Sequence, residues 1–447
     1  MGWWFSIDLW KRVVAALILG IAVGLGLRYG MGAEAGGAFA VMWFGGIGEL
    51  FLRLIRMLIV PLIFCTLVAG IVAMGEPSRL GGLGLRTIAT FFGTTAIAVT
   101  LGLIMGTIFR PGASLSPEIF AGADTSEIQS ASQASAEAGG LADRLLAIVP
   151  INPIEALATG NILQIIFFAI LFGVGILMAG KVAEPIGNMF DGASKAMMKV
   201  TIIVMETAPI GIFALMVSVL ATQGFGVLQS LGTLTIALYV GCALHILITY
   251  GGILIKGILG LPFVTFLRGV SDAQAVAFST ANSTATLPVT IACAKQNLGI
   301  DKSVAGSVLP LGASINMDGS AMFMCIVALF GAQALGYEVS LTQYVLVAVT
   351  ATLVSIGAAG IPSAGLLFSV PALAQVGISE EQAFLIIGFI LPFDRMLDMM
   401  RTMTIVVGDC AVATAVAKWE GELDEAVFRA PNVSAADVDD RVKPLTT

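Results

Sequence analysis

Residues 394–409 read DRMLDMMRTMTIVVGD and lie inside a long apolar segment running from about Phe384 to Ala417. Asp394, Asp398, Arg401, Thr402 and Asp409 fall at relative positions 0, 4, 7, 8 and 15. At 100° per residue their directions span an arc of about 100°, so one helix carries them on one face. Ile405, at about 20° on the same scale, shares that face. The rest of the segment is apolar enough for a bilayer. A charged side chain at membrane depth costs about 3 kcal/mol on insertion scales and more by other estimates, so such groups face a protein interior or a water-filled cavity. A single Asp–Arg pair would suit a structural clasp between helices. Three acids, one Arg and a Thr on one stripe suit a binding site.

Composition agrees with a membrane setting. Of 447 residues, 57% are hydrophobic and 11% charged, against about 25% charged in a soluble domain. The expected fold is an all-α polytopic membrane protein, since the apolar segments lack the alternation of an outer-membrane barrel. Net charge is −7, with the acidic surplus in one loop and in the tail. No basic stripe points to nucleic acid. The five Cys are scattered in apolar segments without CxxC spacing and read as small buried hydrophobes. The single His, His245, sits in an apolar stretch and reads as a packing residue; one His excludes a His-based catalytic or metal cluster.

The first span is expected over about 12–30, retained because no signal-peptide cleavage site follows it. Lys11 and Arg12 before it place the N-terminus in the cytoplasm by the positive-inside rule. A second span covers about 45–74, with Arg53 and Arg56 snorkelling to the outer interface. A loop with Arg79 and Arg86 follows. The third span, about 87–109, carries Thr94 and Thr95 at mid-depth. Residues 111–143 hold five acids and no Lys or Arg, as an outer flexible loop would. Apolar segments follow at about 145–179, 196–222 and 228–257. Glu206 and Pro209 predict a kink in the middle one.

After Leu261 the pattern changes. VAFSTANSTATLPVTIAC (276–293) and LVSIGAAGIPSAGLLFSVPAL (353–373) read as half-spans joined at polar tips, the second around Pro362. Their arms are shorter than the ~20 residues that cross a ~30 Å core. Such backbone is tolerated at depth only when buried in protein or lining a cavity. Each hairpin precedes a span interrupted by polar residues. The first of these is LPLGASINMDGSAMFMCIVALF (309–330), with Asn316, Asp318 and Ser320 at its centre, and the second is the 394–409 segment. Hairpin, broken helix, hairpin, polar helix is an internal repeat of the secondary-transporter kind. Glycines at 312 and 319 permit an unwound turn whose carbonyls, with Asn and Asp oxygens, suit a dehydrated alkali cation. Arg401 offers a planar fork for a carboxylate, and Asp398 can accept an ammonium. No P-loop is present, so an ion gradient is the expected energy source.

SINMDGS (314–320), STANSTATLPVT (279–290), SIGAAGIPSAG (355–365) and D-x-x-x-D-x-x-R-T…G-D (394–409) resemble the dicarboxylate/amino acid:cation symporter family, that of the glutamate transporters. The resemblance runs from the first span to about Glu420. It implies eight transmembrane helices, two re-entrant hairpins, inverted repeats, a homotrimer in the lipid bilayer, and a transport part that moves like an elevator. It divides the chain into six N-terminal spans (1–260), a core (261–418) and a polar cytoplasmic tail (419–447). By family roles Arg401 binds the distal carboxylate of a small anionic solute, with Ser320 and the backbone at Gly365. Asp398 and the Ile361 backbone bind the amine, with Thr402 beside them. Ser283 meets the α-carboxylate. One sodium site uses Asp409 with backbone of Gly312, Asn316 and Ile405. A second uses carbonyls of Ser314, Ser355, Ile356 and Ala358, and a third Thr94, Thr95, Asn316 and Asp318.

Two positions depart from the family pattern. Ile405 stands where the family has an Asn that helps hold the α-carboxylate, and Ala281-Asn282 replaces Arg-Ser or Ser-Ser. The α-carboxylate must then rely on Ser283, Asn282 or hairpin backbone. The expected function is sodium-coupled or other cation-coupled uptake of aspartate or glutamate, in a bacterial inner membrane. A C4-dicarboxylate carrier is the nearest alternative, opposed by Asp398, whose charge would repel a substrate without an amine. A channel on the same scaffold, or a membrane enzyme lacking a recognisable nucleophile–base pair, ranks below both.

Overall fold

The computed structural model describes Ile7 and residues 9–73, 81–115, 149–356 and 363–433. Among these residues all regular structure is helical, apart from one antiparallel bridge between Ile300 and Leu423. Six stretches are long and apolar enough to cross a membrane: Lys11–Met31, Ala33–Val72, Gly84–Phe109, Gln164–Met205, Gly226–Ile258 and Lys302–Ala334. Their burial separates two layers. The most apolar window of Lys11–Met31 is 28% buried within the chain, whereas that of Lys302–Ala334 is 100% buried. The first belongs to an outer wall. The second is the centre.

Small residues set the wall. Gly20 and Gly24, one turn apart on the helix Leu9–Met31, face Met216 and Leu220; a Cβ at either would lie 2.8 or 2.9 Å from theirs. Close backbone approach of this kind is how helices associate without a hydrophobic gradient between them. The segment expected at 196–222 is two helices, Glu184–Met205 and Ala208–Gln223, with Pro209 near the start of the second. Glu206, at the break, is tolerated because Arg12 reaches it with both terminal nitrogens at 2.7 and 3.2 Å. Arg12 is therefore a buried partner of Glu206, where a flanking interface charge was expected.

Other boundaries also shift. The apolar run at 145–179 divides into Pro153–Thr159 and Ile162–Ala179, each started by an Asn cap, Asn152 and Asn161. The segment 228–257 begins as the α-helix Gly226–Leu244 and continues as a 14-residue π-helix, His245–Ile258. Nothing in a 3.6-residue pattern announces that change of pitch. Most of the loop read at 111–143, and Arg79, lie outside the described residues.

The first hairpin is present as two short helices, Ser271–Thr280 and Ser283–Gln296. Ala281 turns the chain with φ 48°, and the Asn282 side chain accepts the Ala285 N–H at 2.8 Å. The broken helix follows as Lys302–Ile315 and Asp318–Ala334, interrupted at Asn316 and Met317. The second hairpin descends as Leu341–Ser355 and returns through Ala364–Leu367 and Val370–Gln375. Its tip around Pro362 lies outside the described residues. Ser379 and Gln382 then form a capping box that starts one 41-residue helix, Glu380–Glu420. This long helix packs against both arms of the first hairpin, both halves of the broken helix, and the π-helix. The described part of the tail folds back beneath it. Asn297 exchanges hydrogen bonds with the Val433 backbone, and Asp424 N–H donates to Gly299 O at 2.8 Å. Glu425, hydrogen-bonded first by Lys418 and then by Arg429, titrates below its usual range.

Candidate substrate and cation sites

Two polar centres adjoin on the long helix. The first is built on Arg401, which is fully buried. Its Nη2 donates to Asp394 Oδ1 at 2.8 Å and to Asp398 Oδ1 at 3.0 Å. The guanidinium lies over the Phe323 ring, 4.2 Å from the centroid. Its Nη1 and Nε are buried and have no hydrogen-bond partner among the described residues. A buried unsatisfied charged donor is expensive, so these nitrogens call for an acceptor beyond the described residues. Asp398 is fixed from its other side, where Ser363 N–H donates to Oδ2 at 3.0 Å. Ser363 has φ 65° at the return of the second hairpin.

Ser320 and Gly365 belong to this centre. A Cβ at Gly365 would lie 2.5 Å from Arg401 Nη1 and 3.2 Å from Ser320 Oγ. The glycine thus leaves the open edge of the fork clear. Gly365→Ala is expected to lower affinity for an acidic substrate about tenfold, the worth of one charge-assisted hydrogen bond displaced. Equilibrium binding of labelled aspartate, with the thermal midpoint of the empty protein as a folding control, checks this.

Thr402 is buried on the same face. Ser283 is buried too, but its hydroxyl donates to Ala313 O at 3.2 Å. The Asn282 carbonyl is committed to capping, as described. The Ser283 hydroxyl is thus engaged within the protein, whereas capping occupies only the Asn282 oxygen and leaves its Nδ2 donor. Ile361 and Ala358 lie outside the described residues. A residue missed in the sequence is Arg395, whose Nη2 caps the first hairpin's inner helix through Ser279 O and Thr280 O at 3.3 and 3.0 Å. It stands beside Asp394, at the edge of the polar arc, so its position was visible and its role was not.

The second centre lies one to two turns further along. Asp409 Oδ1 accepts from Asn316 Nδ2 at 3.0 Å. The Thr94 hydroxyl lies 3.5 Å from Asn316 Oδ1, and Thr95 donates to Asp318 Oδ1. Both threonines also bond Phe91 O, so they serve their own helix and the site together. Gly312 and Gly319 have a different reason from the one expected. Their role is close approach: a Cβ would lie 2.5 Å from Asp409 Oδ1 at Gly312 and 2.6 Å from Arg401 O at Gly319. Asp318 Oδ2 takes two further donors, Tyr250 Oη at 2.6 Å and His245 Nε2 at 3.1 Å. His245 is thus a polar partner of Asp318, correcting its reading as packing alone. Among the described residues no Lys or Arg pairs with Asp318 or Asp409.

Asp409, Asn316, Asp318, Thr94, Thr95 and Gly312 are therefore gathered in one place, and Ile405 is buried one turn before Asp409. The other predicted cation set is less concentrated. Ser355 and Ile356 end the helix Leu341–Ser355, where carbonyls lack helical partners. Ser314 is exposed, and its hydroxyl turns back to Pro310 O.

Known proteins match this chain in sequence along nearly its whole length. The sodium:dicarboxylate symporter family profile covers residues 9–419. The chain belongs to this family. A proton/glutamate-aspartate symporter of Escherichia coli (strain K12) is 34% identical over 92% of this chain and 93% of its own length. A proton/sodium-glutamate symport protein of Bacillus caldotenax is 33% identical over 94% and 96%. A C4-dicarboxylate transport protein of Bradyrhizobium diazoefficiens is 33% identical over 99% and 96%. As a member of this family the protein is a transporter and an integral membrane protein, not an enzyme; the first two relatives are named as cation-coupled symporters of glutamate or aspartate and the third as a C4-dicarboxylate transporter.

Proposed function

We propose that this symporter couples sodium entry to uptake of acidic amino acids, aspartate or glutamate. The observation that carries the reading is the half-satisfied fork of Arg401 beside Asp398. Nη1 donates to the distal carboxylate, with Ser320 and the backbone at Gly365 beside it. Asp398 has unused lone pairs for the ammonium, with Thr402 and the Ile361 backbone beside it. Ser283 and Asn282 lie nearest the α-carboxylate by family position. Asp409 and Asp318 have no Lys or Arg partner among the described residues, so a cation offsets their cost at depth. One sodium ion is assigned to Asp409 with Gly312, Asn316 and Ile405. Another is assigned to Thr94, Thr95, Asn316 and Asp318, and a third to carbonyls of Ser314, Ser355, Ile356 and Ala358.

The surrounding architecture is the family's: eight spans, two re-entrant hairpins and inverted repeats. Residues 1–260 form six spans, 261–418 the core, and 419–447 a cytoplasmic tail. The N-terminus faces the cytoplasm of a bacterial inner membrane. Three copies associate, and the core moves as an elevator. The C4-dicarboxylate reading is favoured by one observation, the apolar Ile405 where an α-carboxylate would be held. Competition of labelled aspartate uptake by glutamate, malate, succinate and serine, with and without sodium, separates the two. Competition by glutamate alone, only with sodium, is expected. Succinate and malate outcompeting glutamate would overturn the amino acid reading, and sodium-independent uptake would overturn the coupling.

A further inference from the structure

The π-helix His245–Ile258 has a chemical consequence at Asp318. Residues five apart on an α-helix point about 140° from one another. In a π-helix the i→i+5 hydrogen bonds stack them instead, and such turns recur at functional sites. His245 and Tyr250 are five apart. Both are fully buried, their rings meet edge to face at 4.6 Å, and both reach the same oxygen, Asp318 Oδ2. A carboxylate oxygen only accepts, so Tyr250 Oη–H and His245 Nε2–H are both donors. Gly408 makes room for the first: a Cβ there would lie 2.2 Å from Tyr250 Oη. Counting Thr95, Asp318 receives three donors among the described residues, whereas Asp409 receives one, from Asn316.

We infer that His245 and Tyr250 are positioning residues that hold Asp318 charged after its cation has left, and thereby weaken the hold on that cation so that it can be released. This rests on the reading above that Asp318 ligates a transported sodium ion. A transported ion must be bound well enough to enter and loosely enough to leave. Donors on Oδ2 stabilise the empty carboxylate more than the loaded one, because in the loaded state the cation already offsets the charge. Removing a donor raises the free energy of the empty site most, and binding tightens. Loss of packing alone would act in the opposite direction.

The test is the sodium dependence of thermal unfolding of the purified full-length protein in detergent, without substrate, choline replacing sodium at constant ionic strength. A ligand that binds only the folded state raises the midpoint by mass action. Tyr250→Phe keeps the ring and removes the hydroxyl. It is expected to lower the half-saturating sodium concentration about five- to tenfold. His245→Leu is expected to do the same, while His245→Gln, which keeps an amide donor at similar reach, stays near wild type. Should Tyr250→Phe fail to fold, the His245 pair carries the same expectation. Unchanged or higher half-saturating sodium in Tyr250→Phe and His245→Leu, with a normal wild-type response, overturns the inference and leaves the sodium reading standing. A wild type whose midpoint ignores sodium overturns that reading, and the inference falls with it.

Discussion

Arg401→Ala is expected to abolish uptake of acidic substrates, with affinity for aspartate falling more than 100-fold. The guanidinium is fully buried over Phe323, and its Nη1 and Nε stand without partners among the described residues. A substrate carboxylate meeting Nη1 gains a charge-assisted hydrogen bond worth about 1.5–3 kcal/mol, and without the guanidinium it would face Asp394 and Asp398 unpaired. The lost bond is worth about 10- to 150-fold in affinity, and the repulsion from the two stranded acids carries the total past two orders of magnitude. The same substitution strands Asp394 and Asp398, and breaking a buried pair costs about 3–5 kcal/mol of stability. Arg401→Lys separates the two effects. Lysine keeps the positive charge between the two acids, so the fold is retained, but its ammonium is a point charge without the planar fork. Uptake by Arg401→Lys is therefore expected to fall steeply while its thermal midpoint stays close to wild type. Undiminished aspartate uptake by either variant would remove Arg401 from the site.

The 394–409 stripe was legible because a helix repeats every 3.6 residues and because charge at membrane depth needs a reason. Arg401, Asp398, Asp409 and the broken-helix residues Asn316 and Asp318 do converge. The Thr94–Thr95 pair does meet Asn316 and Asp318 from another span. What the sequence hid depends on pitch and on distant partners. His245 and Tyr250 are five apart, which is no helical spacing at 3.6 residues per turn, so neither looked like a ligand of anything. Glu206 looked like a kink and is a kink, but its partner Arg12 lies 194 positions away. Gly312 and Gly319 read as sites of backbone freedom, and Gly365 as a backbone contact beside Arg401. None has positive φ; each leaves space that Asp409 or Arg401 occupies. Asn282 read as a substrate ligand because Ile405 leaves the α-carboxylate without the family's amide. A helix starting at Ser283 needs a cap, and that local demand claims its side-chain oxygen.

Ile405→Asn is expected to tighten aspartate binding about 10- to 150-fold. Ile405 is 3% exposed and one turn beyond Arg401 on the polar face, four residues from its Cα along the helix. An apolar side chain there offers no donor to an α-carboxylate. Of the hairpin alternatives, Ser283 donates to Ala313 O and the Asn282 oxygen caps its own helix, which leaves only the Asn282 Nδ2 donor. An amide at 405 supplies one hydrogen bond to a charged acceptor, about 1.5–3 kcal/mol. Without ligand, the same amide is a buried polar group short of partners, which costs about 1–3 kcal/mol. The variant should therefore have a lower thermal midpoint when empty and a larger ligand-induced rise. Succinate should benefit less. An amine held by Asp398 fixes the direction of the neighbouring α-carboxylate, and succinate has no amine to fix its second one. Isothermal titration of wild type and variant with aspartate and with succinate, in saturating sodium, measures both. Equal or weaker aspartate affinity in the variant would mean that Ile405 only packs, and that the α-carboxylate is held by hairpin backbone.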